Sequence, residues 1–432
     1  KPYPAYRDSG VEWIGQVPSK WEVKPIKIVA TFNDDVLPDS TAADTPISYV
    51  DISSVSYAAG IGSTEEMLFG NAPSRARRKA KVGDVVISTV RTYLKAVAAV
   101  DAAHADCVYS TGFAVLRSRT GHIEPNFLKW LALNELFIQS VESHSEGLSY
   151  PAINAPELVN LKTVMPSLPE QATIAVTIDR ETARFDALIA KKTRFIELLK
   201  EKRQALITHA VTKGLNPKAK MKASGVEWIG EVPEHWVAIK FNHVARVTEG
   251  LVDPKAHPYR EMVLIAPNHI ESGTGKILGL ETAVFQNAES GKYTCKKGAV
   301  IYSKIRPALA KVAIAPCDCL CSADMYPMDC TDRTYPEWLF YLMLSPPFTS
   351  WAILESDRVA MPKINRESLA DLRVFLPPMD EQLAAVAWLK AQVEKLEIVS
   401  LKTQHSIDLL KERRAAFITA AVTGQIDLRE SA

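Results

Sequence analysis

Clustered cations are the first residues in this sequence whose chemistry suggests a binding role. Five of them fall within seven positions, just before a predicted strand: Arg75, Arg77, Arg78, Lys79 and Lys81. Like charges at this density repel one another, whereas they bind phosphates favourably because neutralisation releases condensed counterions. The cluster therefore predicts phosphate contacts, and the alternative is a solvated basic loop.

A serine followed three positions later by an arginine occurs twice, as Ser88-x-x-Arg91 and Ser303-x-x-Arg306, each where a strand runs into a turn. Arginine is the commonest reader of guanine, and hydroxyls bind phosphates or base edges. We therefore predict DNA contacts here, together with four neighbours: Tyr93, Lys95, Lys304 and Lys311. The alternative is an arginine that satisfies a carboxylate or loop carbonyls inside its own domain, and its recurrence slightly favours that structural role.

These pairs recur because the chain is a tandem duplication. Residues 9–15 return letter for letter as residues 224–230, and Pro151-x-Ile153-Asn154 returns as Pro362-x-Ile364-Asn365. Two copies of about 210 residues cover nearly the whole chain, which excludes a solenoid of short repeats and predicts pseudo-two-fold symmetry. The counterparts of the first basic cluster are Lys292, Lys296 and Lys297.

The two copies differ in the loops 143–150 and 355–361, just before the Pro-x-Ile-Asn motif. Such a difference is expected where each half reads its own DNA sequence, and the alternative is ordinary loop drift. The candidate DNA-binding residues at this place are Ser149, Tyr150, Arg358 and Lys363.

Each copy ends in a long helix that begins at a capping signal and runs for about 40 residues without proline or glycine. Such a helix spans about 60 Å, longer than a small domain is wide, so it needs a long element beside it. The apolar heptads predict a coiled-coil seam with matched polar breaks at Arg203 and Arg414, and the alternative is two independent amphipathic helices. The predicted seam residues are Ile178, Phe185, Ile189, Ile196, Leu199, Leu206, Leu389, Val393, Leu396, Ile407, Leu410 and Phe417.

Catalytic motifs are not evident: the sequence has no Walker lysine loop, no His-Glu-x-x-His and no convincing nuclease carboxylate cluster. Ser345-Pro346-Pro347-Phe348 resembles an amino-methyltransferase tetrapeptide, but no glycine-rich cofactor loop accompanies it, and we interpret it as a turn between helices. Cys317-x-Cys319-x-Cys321 has the period of a strand rather than of a zinc knuckle, which favours buried cysteines over a metal site. The sequence therefore predicts no catalytic and no metal-binding residues.

Composition sets the broad class. The chain has 432 residues, 47% of them hydrophobic, and a net charge of +1 that neither supports nor excludes nucleic-acid binding. Six cysteines are too sparse for a disulfide scaffold, and no apolar stretch approaches a membrane span. We expect a reduced, cytoplasmic protein.

The order and duplication of these motifs resemble one family, the specificity (S) subunits of type I restriction–modification systems. The resemblance rests on the paired Ser-Gly-Val-Glu-Trp-Ile-Gly and Pro-x-Ile-Asn segments, the Glu-Gln helix openings and the Leu-Leu-Lys-Glu-x-Arg tracts. It implies an α/β (α+β) fold, in which a long antiparallel coiled coil separates two tandem-duplicated α/β target recognition domains. The implied divisions are residues 1–165 (first recognition domain with an N-terminal docking segment), 166–214 (central long helix), 215–378 (linker and second recognition domain), 379–424 (C-terminal long helix) and 425–432 (tail).

The resemblance also implies the function. Each recognition domain would read one half of an asymmetric bipartite site in double-stranded DNA, and the coiled coil would set the spacing. Two modification (M) subunits would methylate adenine and restriction (R) subunits would cleave, so S-adenosylmethionine, ATP and Mg²⁺ are expected on the partners and no cofactor or membrane on this chain. The alternatives are a single-chain DNA methyltransferase or nuclease, and a coiled-coil scaffold without a DNA role.

Overall fold

The computed structural model describes residues 2–57, 59–147, 149–226, 229–356 and 362–429. The chain forms two compact units: unit 1 comprises Lys1–Lys192 with His405–Ala432, and unit 2 comprises Thr193–Gln404. Both boundaries fall inside the long helices. Each unit therefore contains the first half of one long helix and the second half of the other.

Unit 1 is built on short strands: β1 (Tyr6–Asp8), β2 (Gln16–Pro18), β3 (Glu22–Pro25), β4 (Ala30–Phe32), β5 (Pro46–Val50), β6 (Val55–Ser56), β7 (Gly60–Ile61), β8 (Glu65–Leu68), β9 (Ala76–Lys79), β10 (Val85–Ser88), β11 (Val97–Ala99), β12 (Val108–Ser110), β13 (Phe113–Ser118) and β14 (Lys162–Met165). Two four-stranded sheets have the orders β11-β10-β13-β4 and β8-β5-β12-β9. Only β5 and β12 among these pair in parallel. Strand β10 is buried along its whole length, because Val85 and Ile87 belong to one apolar cluster and Val86 to another.

Unit 2 repeats this topology with its own strands: β15 (Met221–Ala223), β16 (Glu231–Pro233), β17 (Val237–Lys240), β18 (Ala245–Val247), β19 (Leu264–Ile265), β20 (Tyr293–Cys295), β21 (Val300–Ser303), β22 (Val312–Ile314), β23 (Cys319–Cys321), β24 (Met325–Cys330) and β25 (Arg373–Leu376). The order β18-β24-β21-β22 corresponds to β4-β13-β10-β11, and β19-β23-β20 corresponds to β5-β12-β9. The parallel pair also returns, as β19 and β23. The duplication read from the sequence is therefore a duplication of fold.

The helices are α1 (Ile26–Val29), α2 (Pro125–Ala132), α3 (Glu135–Ser143), α4 (Ala155–Leu158), α5 (Leu168–Lys213), α6 (Pro336–Leu344), α7 (Pro346–Ser356), α8 (Arg366–Asp371) and α9 (Met379–Val422). The two long ones, α5 and α9, occupy the segments for which long helices are predicted, 166–214 and 379–424. Proline opens α2, α6 and α7, as its fixed φ and missing N–H favour at a helix start. Ser345 caps the end of α6 and Pro346 begins α7, so the tetrapeptide at 345–348 lies at the junction of two helices, with its last three residues in the first turn of α7.

The long helices pair in antiparallel orientation within each unit. In unit 1 the rings of Phe185 and Phe417 are 6.5 Å apart, and Asp186 pairs with Arg414 at 2.9 Å. In unit 2 Val386, Leu389 and Val393 share a core with Ile207, Ala210 and Val211. Every one of the twelve predicted seam residues is buried or half-buried, as a seam between two helices requires.

The matched arginines of the seam have different partners. Arg414 forms the ion pair with Asp186 across the two helices of unit 1. Arg203 instead donates to the carbonyls of Gly273 and Thr274 in a loop of unit 2. The two matched positions therefore differ in role, since Arg414 pairs with the other long helix of its unit and Arg203 binds a loop.

The repeated tryptophan segments are packing elements. In unit 1 Trp21 is buried, and the ring of Trp13 meets that of Phe137 edge-on at 6.1 Å. In unit 2 Trp236 is buried and its indole N–H donates to Glu381 at 3.0 Å. Trp228 lies outside the described residues.

Candidate nucleic-acid interface

Two matched turns carry the arginines that the sequence singled out. We call residues 90–95 and 305–310, which join β10 to β11 and β21 to β22, the arginine turns. Arg91 has φ 51° and Arg306 has φ 47°, and a second left-handed residue closes each turn, Lys95 or Ala310. This backbone conformation is costly for a residue with a Cβ and tends to occur at functional sites. Both copies retain it with arginine, although glycine would adopt it without strain.

The Pro-x-Ile-Asn motif holds each arginine turn in place. The backbone N–H of Arg91 donates to the carbonyl of Pro151 at 2.7 Å, and that of Ile153 donates to Thr89 at 2.9 Å. Unit 2 repeats the first bond, with the N–H of Arg306 donating to Pro362 at 3.0 Å. The Ser-x-x-Arg and Pro-x-Ile-Asn motifs, although far apart in sequence, are thus joined by hydrogen bonds. Their joint recurrence in both copies is the only sequence signal for this pairing.

The asparagines of this motif begin short helices. Asn154 and Glu157 form a capping box at α4, and the side-chain oxygen of Asn365 accepts from the N–H of Ser368 at 2.7 Å at α8. Asparagine is a preferred N-cap because its oxygen satisfies an otherwise unpaired helix N–H.

The serines of the arginine turns have a structural role. Ser88 and Ser303 are buried, and their hydroxyls donate to the carbonyls of Val90 and Ile305. Their side chains are therefore unsuited to phosphates or base edges. The structure therefore favours a role for both serines in stabilising the turn over the predicted contact with DNA.

Arg91 lies on an exposed surface of unit 1. Its guanidinium lies 4.9 Å from the centre of the Tyr150 ring, and Tyr150 and Tyr93 are 65% and 54% exposed. Ser149 is exposed beside them, and the ammonium of Lys95 lies 3.7 Å from Glu135. The structure thus brings the two predicted sets, the arginine turn and the variable loop, to one place.

In unit 2 Arg306 and Lys363 are exposed on the matching surface. The ammonium of Lys304 lies 5.2 Å above the Tyr326 ring, whereas that of Lys311 is bound to the carbonyl of Pro267 at 2.6 Å. Lys311 therefore holds a loop, and its predicted DNA contact is not favoured. Arg358 lies outside the described residues.

Arg366 was not among the candidate binding residues predicted from the sequence. Its guanidinium lies 5.5 Å from the Tyr293 ring and 5.4 Å from the Tyr326 ring, and it donates to the carbonyl of Thr248. Arg366 directly follows the Pro-x-Ile-Asn motif, but Ala155 stands there in the first copy, so the repeat gave no signal.

Three members of the first basic cluster, Arg77, Arg78 and Lys79, lie on β9, the last strand of its sheet, and Arg75 and Lys81 flank this strand. Alternation along β9 sends neighbouring cations to opposite faces. The guanidinium of Arg75 pairs with Asp51 and also donates to Tyr49 at 3.1 Å. Arg77 lies 4.7 Å from the Phe69 ring and 3.9 Å from Asp39.

The remaining members of this cluster differ in exposure. Arg78 is half-buried, and burial lowers the pKa of its guanidinium, whereas Lys79 is half-buried and Lys81 exposed. A single phosphate-binding surface formed by all five cations is therefore not what the structure shows.

The second basic cluster is divided in the same way. Lys292 is buried and its ammonium donates to the carbonyl and hydroxyl of Ser290, and burial lowers its pKa. Lys296 and Lys297 are exposed at the end of β20. The prediction of phosphate contacts is consistent with the geometry of these last two and wrong for the buried Lys292.

Two of the three closely spaced cysteines, Cys319 and Cys321, lie in a strand, whereas Cys317 lies in the bend before it. Cys319 and Cys321 are buried on β23, Cys295 faces Cys319 in the antiparallel register, and Cys317 is half-buried. Among the described residues, no group of three or more His, Cys, Asp or Glu side chains is placed to hold a metal ion.

Comparison with known proteins assigns the family. A family model described as the type I restriction modification DNA specificity domain matches residues 233–409. The specificity subunit of the type I restriction enzyme EcoDI from Escherichia coli is 30% identical over 71% of this chain and 72% of its own length. The MjaVIII specificity subunit from Methanocaldococcus jannaschii is 25% identical over 69% of each chain. The chain belongs to the specificity subunits of type I restriction–modification systems, the subunits that recognise DNA.

Solved structures share the fold. A chain from a type I restriction–modification system, solved to explain complex assembly and conformational transition, has a TM-score of 0.72 at 20% identity, covering 95% of this chain and 99% of its own. The HsdS subunit from Thermoanaerobacter tengcongensis has a TM-score of 0.54 at 22% identity, covering 95% and 98%. Two α/β domains with long paired helices are therefore the fold of this family. Within the described part of the chain, no helix is long and apolar enough to cross a membrane.

Proposed function

We propose that each unit reads one half of an asymmetric bipartite site in double-stranded DNA and that this chain performs no catalysis itself. The observation that carries the proposal is the pair of matched arginine turns, which hold exposed Arg91 and Arg306 on a strained backbone. A guanidinium can donate two hydrogen bonds to the O6 and N7 acceptors of guanine in the major groove. Because the surroundings of the turns differ, the two half-sites are expected to differ.

The proposed contact residues follow from exposure. In unit 1 they are Arg91, Tyr93, Ser149 and Tyr150, with Lys81 as a phosphate contact. In unit 2 the exposed residues are Arg306 and Lys363, with Lys296 and Lys297 as phosphate contacts, and Lys304 is added although it is half-buried.

Two modification subunits are the proposed catalytic partners, with restriction subunits joining for cleavage. Support comes from large apolar side chains that stay exposed on the long helices: Val176, Leu188 and Leu409 in unit 1, and Phe195, Leu198, Leu383, Ile398, Val399 and Leu401 in unit 2. Apolar side chains that stay exposed along two long helices are candidates for an interface with a partner. S-adenosylmethionine, ATP and Mg²⁺ are proposed to bind those partners, and the assembly to act on DNA in the cytoplasm.

Co-expression with the modification subunit tests this proposal. A complex of two M subunits and one specificity subunit should methylate adenine at one asymmetric two-part sequence, which sequencing of modified bases would identify. Robust methyl transfer by the purified chain alone would show a single-chain methyltransferase instead. A complex without salt-dependent DNA binding would favour the coiled-coil scaffold.

A further inference from the structure

Arg203 is a buried cation that binds carbonyls rather than a carboxylate. It lies on α5 in unit 2 and is 9% exposed. Its two terminal nitrogens donate to the carbonyls of Gly273 at 2.7 Å and Thr274 at 3.0 Å, and the side chain of Gln204 adds a bond to Gly273 at 3.3 Å. Burying a charged group is costly unless the group forms hydrogen bonds or an ion pair. The long helix thus binds this loop through three hydrogen bonds.

The loop that Arg203 binds also contacts the arginine turn of unit 2. The backbone N–H of Gly273 donates to the carbonyl of Ala310 at 3.2 Å, and Ala310 is the left-handed residue that closes the turn begun by Arg306. A few hydrogen bonds therefore connect α5 to the turn that presents Arg306.

The loop has a defined shape that suits this connection. Gly273 and Gly275 both have positive φ, and a Cβ on Gly275 would lie 2.3 Å from the ring of Phe340. The loop therefore passes close to α6, where only glycine fits. Because this loop has little room to change conformation, we expect a displacement of Arg203 to move the turn as well.

We propose that Arg203 is a positioning residue for DNA reading by unit 2, which holds the 305–310 turn in register with the long helix. This inference rests on the proposed function. The matched Arg414 forms an ion pair with Asp186 at 2.9 Å in unit 1, and within the part of the chain that the structure describes it has no such link to the 90–95 turn. Arg203 therefore affects one half-site and Arg414 does not share this role.

The test uses the full chain in complex with its modification subunit. Arg203→Met removes both carbonyl bonds, whereas Arg203→Lys can restore one of them. Methylation rates are measured on DNA duplexes with single base changes in either half-site. With Arg203→Met, discrimination by unit 2 should fall about tenfold, as for the loss of a charged hydrogen bond. Discrimination by unit 1 should stay within about twofold. Arg203→Lys should lie between Arg203→Met and wild type.

Two further variants keep the test decisive. Gly273→Ala strains the positive φ of the loop, leaves every residue of α5 unchanged and adds only an ordinary contact with Gln204, so it should reproduce the selective loss at the same half-site. Arg414→Met is the matched control and should leave discrimination by unit 2 unchanged. Equal loss at both half-sites, or full discrimination in the Arg203 and Gly273 variants, would overturn the inference alone. A wild-type complex without a two-part site would overturn the proposed function as well.

Discussion

The backbone N–H of Arg91 donates to the carbonyl of Pro151 at 2.7 Å, so the variable loop ends on the turn that presents the arginine. Unit 2 contains the same bond between Arg306 and Pro362 at 3.0 Å. A fixed framework thus carries two arginines, while the loop before each proline is free to differ. This division suits the proposed function, in which one architecture reads two different half-sites.

Replacing Arg91 with glycine should remove DNA reading without destabilising the turn. Glycine adopts φ 51° at no steric cost, so the midpoint of thermal unfolding should fall little. Loss of a bidentate base contact should cost about 1–3 kcal/mol of discrimination at the half-site read by unit 1. Methylation of duplexes with single base changes measures it.

Arg306→Gly is the matched control, and it should affect only the half-site read by unit 2. Equal effects of the two substitutions on both half-sites would show that the arginines stabilise the complex rather than read bases.

The exposed lysines and the paired arginines should differ in their salt dependence. Lys296→Ala with Lys297→Ala should weaken binding to all DNA sequences and lower the salt slope by up to about 0.9 per lost phosphate contact. Arg75→Ala with Arg77→Ala should change the slope little, because Asp51 and Asp39 already lie beside these guanidinium groups. Binding isotherms of the complex across salt concentrations provide the comparison. A larger slope change for the arginine pair would show that DNA displaces the aspartates.

Ser88→Ala should lower stability rather than change recognition. The buried hydroxyl donates to the carbonyl of Val90, and its loss should lower the free energy of unfolding by about 1 kcal/mol. Denaturant unfolding measures this, with Ser303→Ala as the counterpart in unit 2. A shift in the methylated sequence without a loss of stability would return Ser88 to the DNA-contacting residues.

Residues 1–215 should act as a half-protein that pairs with a second copy of itself. The duplicated register replaces Phe417 by Leu206 and Arg414 by Arg203, so an aromatic–aliphatic contact and the ion pair with Asp186 can form again. Two half-chains with the modification subunit should methylate an interrupted palindrome of the first half-site, because symmetric assembly presents identical domains.

Sequencing of modified bases gives the outcome for the half-protein. The half-site spacing should stay close to that of the intact protein, because the same helix length sets it. Asymmetric sites, or a monomeric fragment without methylation, would show that the halves are not interchangeable. In this pairing Phe195 takes the place of Ser406. Because phenylalanine is larger than serine, the helix–helix interface is most prone to overpacking at this position.

The sequence by itself determined the duplication, the two long helices and their seam. These features are periodic, and periodicity is visible in one chain because a helix repeats its buried face every three to four residues. The seam positions from Ile178 to Phe417 were therefore predictable. The Pro-x-Ile-Asn motif was also visible as a repeat, although its role was not.

Only the tertiary structure decided which polar residues face solvent. Asp51 lies beside Arg75, Ser290 beside Lys292 and Gly273 beside Arg203, although nothing in their local sequences indicates these pairs. The sequence shows that a residue is a cation but not whether it is paired, because its partner comes from a distant segment of the chain. Tertiary packing therefore determines which of these polar side chains are available to contact DNA and which stabilise the fold.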